Sequence, residues 1–336
     1  MSSLHAMKVA VVGAGVLGLS IALALARAGA SVRLVERDGG PNASSIAAGM
    51  LAPAFEAALD PVSAGHFDLL VQARDLWPDF LKGLGPVGFE RCGARLIAPG
   101  EVLERAGMAL RGQGAEHRID GDGLFTPEDW RIAPSRALTE MRRAFVRLGG
   151  DAVRANVTGA GANHIALFSG QTIEADTVIL ACGYGGRNLA PELSLLTPIK
   201  GQLLRFDAGP VGVGPILRSP RGYVVPGADG AAAGASMQEG FSDLAIDQEV
   251  TGRLLDQALD LAPDLSGAGF SAFAGVRPAT PDGLPMIGKS AGGVWLAAGA
   301  RRNGWLFAPL AARLIAGGLA EGDEDSRLRP ARFNPR

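Results

Sequence analysis

The chain has 336 residues, 47% of them hydrophobic and 20% charged, and a net charge of −2. Its length exceeds one ordinary hydrophobic core, so two linked domains are expected and disorder is excluded. The low net charge and scattered arginines argue against a nucleic-acid partner or an anionic bilayer, and two cysteines with four separated histidines argue against a disulfide framework or a metal site.

Lys8–Val12 is a short valine-rich run of the kind that forms a buried parallel strand. Leu17–Ala28 reads as a helix stopped by Gly29, and Ser31–Glu36 alternates as a second strand. Together they make a βαβ unit with a right-handed crossover. Gly13, Gly15 and Gly18 interrupt the apolar stretch Val9–Ala30, which suits that unit and not a secretion signal. No other long apolar run occurs, so a cytoplasmic protein without an integral membrane segment is expected.

A long helical region is expected after Pro61, broken or kinked near Pro78. Phe89–Ala98 turns strand-like, Pro134–Leu148 is an amphipathic helix ending at Gly149-Gly150, and Thr177–Ala181 is another buried strand. Gln202–Phe206, Ile216–Arg218, Tyr223–Val225 and Ala231–Ala235, separated by Gly and Pro, predict an antiparallel sheet. Asp247 caps a helix running to Leu261. Val294–Ala298 returns to parallel-strand character and Leu306–Leu319 is a last apolar helix. The polar tail from Glu321 is expected to be loose.

The two strand styles interleave. The fold class expected is therefore α/β, with a discontinuous Rossmann-like nucleotide domain and an inserted antiparallel-sheet α+β domain for substrate. The first would comprise residues 1–83, 129–197 and 274–336, and the second residues 84–128 and 198–273.

Gly13-Ala14-Gly15-Val16-Leu17-Gly18 is a GxGxxG sequence lying between a strand and a helix, with Glu36 ending the next strand. Gly13 allows the tight turn, Gly15 the approach of a pyrophosphate, and Gly18 the packing of helix on strand. Phosphates would sit at the helix N-terminus, and Glu36 would accept ribose hydroxyls and repel a 2′-phosphate. This points to an adenine dinucleotide, with NAD and FAD both open.

Three later stretches bear on that choice. Asn42–Pro53 is a loop of small residues that lets backbone approach a flat ring and offers Ser44 and Ser45 to phosphate. GVRPATPDGLPMIG spans 275–288, and Ala298–Trp305 leads into the last helix. With AAGMLAP (47–53), PIKGQ (198–202), YVVP (223–226), GASM (234–237) and RNGWLFAP (302–309), the chain resembles the D-amino-acid-oxidase family of flavoproteins from about Met7 to Leu319. Among these the glycine oxidases of thiamine biosynthesis are the most similar.

The resemblance implies non-covalent FAD as cofactor. It implies cofactor contacts from Gly13, Gly15, Val16, Leu17, Gly18, Glu36, Arg37, Ser44, Ser45, Ala47, Ala48, Gly49 and Met50. Val157, Ala181, Gly183, Arg277, Arg302, Asn303, Gly304, Trp305 and Leu306 complete that set. The N-terminus of the last helix would face the flavin N1/C2=O edge, where its dipole favours the reduced, anionic ring. Arg277 would clamp a substrate carboxylate with its planar fork, Tyr223 would add a hydroxyl, Met50 and Met237 would line the pocket, and Arg302 would stand close by.

The reaction implied is oxidation of the carbon–nitrogen bond of glycine, sarcosine or a small D-amino acid, with O2 reduced to H2O2 and no acid–base residue required. The imine of glycine for thiazole synthesis is one implied product. A dehydrogenase passing electrons to a quinone or carrier, and a non-catalytic FAD-binding protein, remain alternatives, as does a homo-oligomer. Glycine oxidases carry Gly-His-aromatic-Arg-Asn-Gly where this chain has Gly299-Ala300-Arg301-Arg302-Asn303-Gly304, and VPR where it has Val225-Pro226-Gly227. Cys182 is expected to pack near the cofactor as a small apolar residue.

Overall fold

Lys8–Val12 pairs in parallel with Ser31–Glu36 on one side and with Thr177–Leu180 on the other. In the computed structural model, which describes residues 4–37, 42–207, 214–228 and 230–333, this trio is the centre of a six-stranded sheet. The order is Met286–Lys289, Trp295–Ala298, Thr177–Leu180, Lys8–Val12, Ser31–Glu36, Asp151–Arg154. All neighbours are parallel except the edge strand Met286–Lys289.

The strand alternation explains why Lys8–Val12 reads as a continuous apolar run. Val9 and Val11 enter one core with the helices Val16–Arg27, Pro134–Arg147 and Gly304–Glu321, while Ala10 and Val12 enter a second core capped by the strands between Val157 and Glu174. No described helix is long and apolar enough to cross a membrane.

A second, nine-stranded sheet interleaves with the first along the chain, built mainly from Ala94–Ile97, Gly123–Thr126, Thr197–Phe206, Ile216–Ser219, Gly222–Gly227, Gly230–Gly234 and Phe270–Ala279. Leu204, Val224 and Ala233 pack against the helix Gln248–Leu261 on its outer face. Leu203, Val225 and Ala232 face inward against the helices Pro53–Leu59 and Gly100–Gly112. Asp247 caps its helix as expected, its carboxylate accepting from the Glu249 and Val250 N–H groups at 2.9 and 3.2 Å.

Several expectations need correction. The second sheet is mixed, because Ile216–Ser219 pairs in parallel with Ala94–Ile97. Only Ala94–Ile97 of the stretch Phe89–Ala98 is a strand; Glu90 makes an isolated bridge to Arg131. The helical region after Pro61 begins only at Phe67, and its expected break near Pro78 falls at Leu76, between Phe67–Asp75 and Trp77–Phe80. Phe270–Ala279 runs across the boundary expected between 273 and 274. The tail is not loose over its described part. Leu328 is fully buried and its carbonyl accepts from the Ile287 N–H at 2.8 Å, while Arg332 pairs with Asp282 at 2.7 Å.

The last helix is held by an exchange of hydrogen bonds. Pro309 lies inside it and has no N–H to offer the carbonyl of Trp305, one turn back. The indole of Trp77 donates to that carbonyl at 3.2 Å and stacks on the Trp305 ring, centroids 5.9 Å apart. Trp305 in turn donates its own indole N–H to the Ser44 carbonyl at 3.0 Å, tying the helix start to the small-residue loop.

Candidate functional site

The first turn behaves as its glycines require. Gly13 has φ +107°, and a β-carbon there would lie 2.3 Å from the Ala181 carbonyl oxygen. At Gly18 a β-carbon would lie 1.9 Å from the Gly13 oxygen, so Gly18 serves helix packing and lines neither of the two cavities described below. The helix beginning at Val16 has no side-chain cap of its own; the Ser44 hydroxyl accepts from the Val16 N–H at 2.9 Å.

Asn42 shapes the following loop, its side-chain oxygen accepting from the Ser44 and Ser45 N–H groups at 3.0 Å each. The Ser45 hydroxyl donates to the Asn42 carbonyl at 2.9 Å, so its proton is already committed, although Ser45 still lines the groove. Arg205 holds the loop from below by donating to the Ala47 carbonyl at 2.8 Å.

This loop separates and joins two cavities of about 740 and 680 Å³. The smaller runs from Gly13, Gly15, Val16 and Leu17 past Glu36, Arg37, Val157, Ala181 and Gly183. It lies at the carboxyl ends of Lys8–Val12 and Thr177–Leu180, where the strand order reverses, which is where open α/β sheets take ligands. Glu36 is paired there with Arg142. Cys182 lines the same wall; burial pushes its thiol up to about 12, which fits an inert packing residue. The larger cavity is lined by Ala48, Gly49, Met50, Tyr223, Met237 and Asn303. Ala47, Gly275, Arg277, Arg302 and Trp305 border both.

The inward face of the second sheet supplies the polar groups of the larger cavity. Arg218 and Tyr223 are cross-strand partners, as are Tyr223 and Gly234, so these positions share one face. The Tyr223 ring lies over Gly234, where a β-carbon would come within 2.9 Å of its hydroxyl. Arg277 lies across Gly201 and donates to the Ser236 carbonyl at 3.1 Å. Burial draws the Arg277 guanidinium below the ordinary arginine value and lifts the Tyr223 phenol above its own. No carboxylate pairs with Arg277 among the described residues.

Arg302 borders both cavities. It is already held in a two-pronged pair by Glu56, at 2.5 and 2.8 Å. Burial opposes ionisation of Glu56, but Arg302 and Arg218 outweigh it and bring the carboxyl down to about 2. Arg301, where the resemblance implies an aromatic, adopts φ +48° and pairs with Asp60. Its N–H donates to the Pro278 carbonyl at 2.9 Å, and Ala279 bridges to Ala300. The strand bearing Arg277 is thereby clipped to the turn that starts the last helix.

The last helix presents a bare N-terminus, with no side-chain cap at Asn303 and no acidic residue in its first turn. Asn303, Gly304 and Trp305 line the cavities, whereas Leu306 is fully buried in the core and lines neither. Sequence reasoning missed Glu56, Asp60, Arg218 and Asp129. Asp129 caps the helix Pro53–Leu59 from outside, accepting from the Ala54 and Phe55 N–H groups at 2.8 and 3.3 Å, and burial pushes its carboxyl up to about 7.

The model of the DAO family, FAD-dependent oxidoreductases, matches residues 8–317. A glycine oxidase of Pseudomonas aeruginosa is 29% identical, with 98% of each chain covered. The bifunctional protein MnmC of tRNA 5-methylaminomethyl-2-thiouridine biosynthesis from Chromohalobacter salexigens is 28% identical over 93% of this chain. The match spans only 54% of that relative, about half its length. The crystal structure of glycine oxidase from Geobacillus kaustophilus superposes with a TM-score of 0.83 at 26% identity, covering 98% of both chains. The chain belongs to the DAO family of FAD-dependent oxidoreductases.

Proposed function

We propose that this protein oxidises the carbon–nitrogen bond of a small amino acid or secondary amine, such as glycine, sarcosine or a small D-amino acid. The observation that carries the reading is Arg277, a half-buried guanidinium that has no carboxylate partner among the described residues and borders both cavities, with Tyr223 lining the larger one. Such a group is costly to bury unless a ligand anion completes it.

FAD fits the joined cavities on three counts. The turn at Gly13 excludes a β-carbon, neither the helix from Val16 nor the helix from Gly304 carries a side-chain cap of its own, and the loop between the cavities is built of small residues. Gly13, Gly15, Val16, Leu17, Glu36 and Ser44 would hold the adenosine and phosphate part. Ala47, Ala48, Gly49, Met50, Asn303 and Gly304 would surround the ring. FAD, when bound, supplies the two-electron acceptor that O2 returns to its oxidised state, giving H2O2.

The residues of the chain orient and hold. Arg277 and the Tyr223 hydroxyl take the two sides of the substrate carboxylate, which fixes the direction of the Cα–H bond. Glu56 stays ionised and is spent on Arg302 and Arg218, so it positions these guanidiniums and does not serve as a base. The amine enters neutral, and the imine formed is hydrolysed by water to an oxo acid and either ammonia, from a primary amine, or the corresponding primary amine, from a secondary one.

The test is an anaerobic panel of glycine, sarcosine and small D-amino acids mixed with the FAD-loaded protein, followed by admission of air. Loss of flavin absorbance with at least one amine, then peroxide formation, is expected. Bleaching without rapid reoxidation would assign a dehydrogenase, and no bleaching by any amine would remove the reading.

A further inference from the structure

The larger cavity is more cationic than a small monocarboxylate requires. Its wall carries Arg105, Arg218, Arg221, Arg277 and Arg302, against only Glu56 and Asp60 among the acids that line it. Asp60 is paired with Arg301, and Glu56 is shared between Arg302 and Arg218. Arg221, near the mouth, pairs with Asp260.

Arg218 is the unusual member. Its side chain is 6% exposed, and it spends Nη2 on Glu56 at 3.1 Å. Nη1 is buried and has no hydrogen-bond partner. The Phe55 ring lies 5.8 Å from the guanidinium carbon, and Asp129, whose charge reaches Arg218, uses its two oxygens on the Ala54 and Phe55 N–H groups. A buried guanidinium donor left empty is costly, and an anion entering from the cavity would relieve that cost.

We infer that Arg218 forms a second anion subsite and that the substrate is an amine bearing two carboxylates, one at Arg277 and the other at Arg218. The inference rests on the amine-oxidation reading for the identity of the reacting bond. The second acid could extend from nitrogen, as in iminodiacetate, or from Cα, as in D-aspartate; both share the chemistry that Arg218 recognises.

With the FAD-loaded protein under anaerobic conditions, flavin bleaching is followed against concentration for two matched pairs, sarcosine with iminodiacetate and D-alanine with D-aspartate. At least one diacid is expected to half-saturate about tenfold or more below its monoacid partner, the scale of one hydrogen bond to a charged group. Which pair shows the gain tells which branch carries the second acid. Arg218→Met is expected to bring that ratio to about one.

A readout independent of turnover and of the variant's folding is the shift of the flavin spectrum on titrating wild-type protein with diglycolate and with methoxyacetate. Tighter binding of the diacid supports the subsite, and equal binding overturns it. If no amine bleaches the flavin, the oxidation reading fails while this titration still decides the subsite.

Discussion

Gly201 lies beneath the guanidinium of Arg277, so close that a β-carbon at 201 would stand 2.2 Å from Nη1. Gly201→Ala must therefore push the guanidinium off the strand Thr197–Phe206. The half-saturating substrate concentration is expected to rise at least about tenfold, as one charge-assisted hydrogen bond loses its geometry, with the flavin spectrum of the resting protein unchanged. Substrate titration of the two proteins checks this; equal values would show that Arg277 does not hold the carboxylate.

Replacing the guanidinium is the harsher test. Arg277→Ala is expected to weaken carboxylate substrates by about 2–5 kcal/mol, the cost of leaving a buried charge without its partner. Rapid-reaction bleaching measures it as a loss of apparent affinity. An unaltered affinity would place the acid group elsewhere.

The Trp77 indole satisfies the carbonyl that Pro309 leaves open in the last helix. Trp77→Phe keeps an aromatic ring against Trp305 but removes the donor. Unfolding by urea is expected to show a loss of about 1–3 kcal/mol, the cost of an unsatisfied buried acceptor. In the double variant Trp77→Phe, Pro309→Ala the alanine N–H can serve that carbonyl, and part of the loss should return. Additive losses would mean the exchange of partners has no energetic content.

Asp129 gives a pH dependence of definite sign. Its carboxyl is raised from 3.8 to about 7 by burial, so the folded state favours the protonated form. Its contribution to stability is complete below 3.8 and declines as pH rises through about 7. Asp129→Asn retains an oxygen for the Ala54 N–H, gives up the longer contact from the Phe55 N–H at every pH, and cannot ionise. Across pH 5 to 8 the variant is expected to gain on the wild type in unfolding midpoint; a constant difference over that window would contradict the assignment.

How far the sequence carried can be judged residue by residue. Lys8–Val12 and Ser31–Glu36 were legible because their pattern is local and Gly13 and Gly29 punctuate it. Phe270–Ala279 was not, since Gly275 and Pro278 weaken its strand character and its stability comes from pairing along Thr197–Phe206. Gly100–Gly112 was hidden by the glycines at its ends and at Gly107. Arg277, Tyr223 and the turn before the last helix stood in motifs with an assignable resemblance. Glu56, Asp129 and Arg218 did not, because only the fold brings these distant positions together, and no spacing in the chain announces it.

The clip between Ala279 and Ala300, reinforced by the Arg301 N–H on the Pro278 carbonyl, puts the strand that bears Arg277 and the start of the last helix in one hydrogen-bonded frame. Their separation is thus insulated from changes at the outer wall of the larger cavity. In the proposed reaction, substitutions at Arg221 or Arg105, which do not touch that frame, would alter which side groups are admitted without disturbing the alignment of the reacting bond. Substrate range and reaction geometry are, in this architecture, separately adjustable.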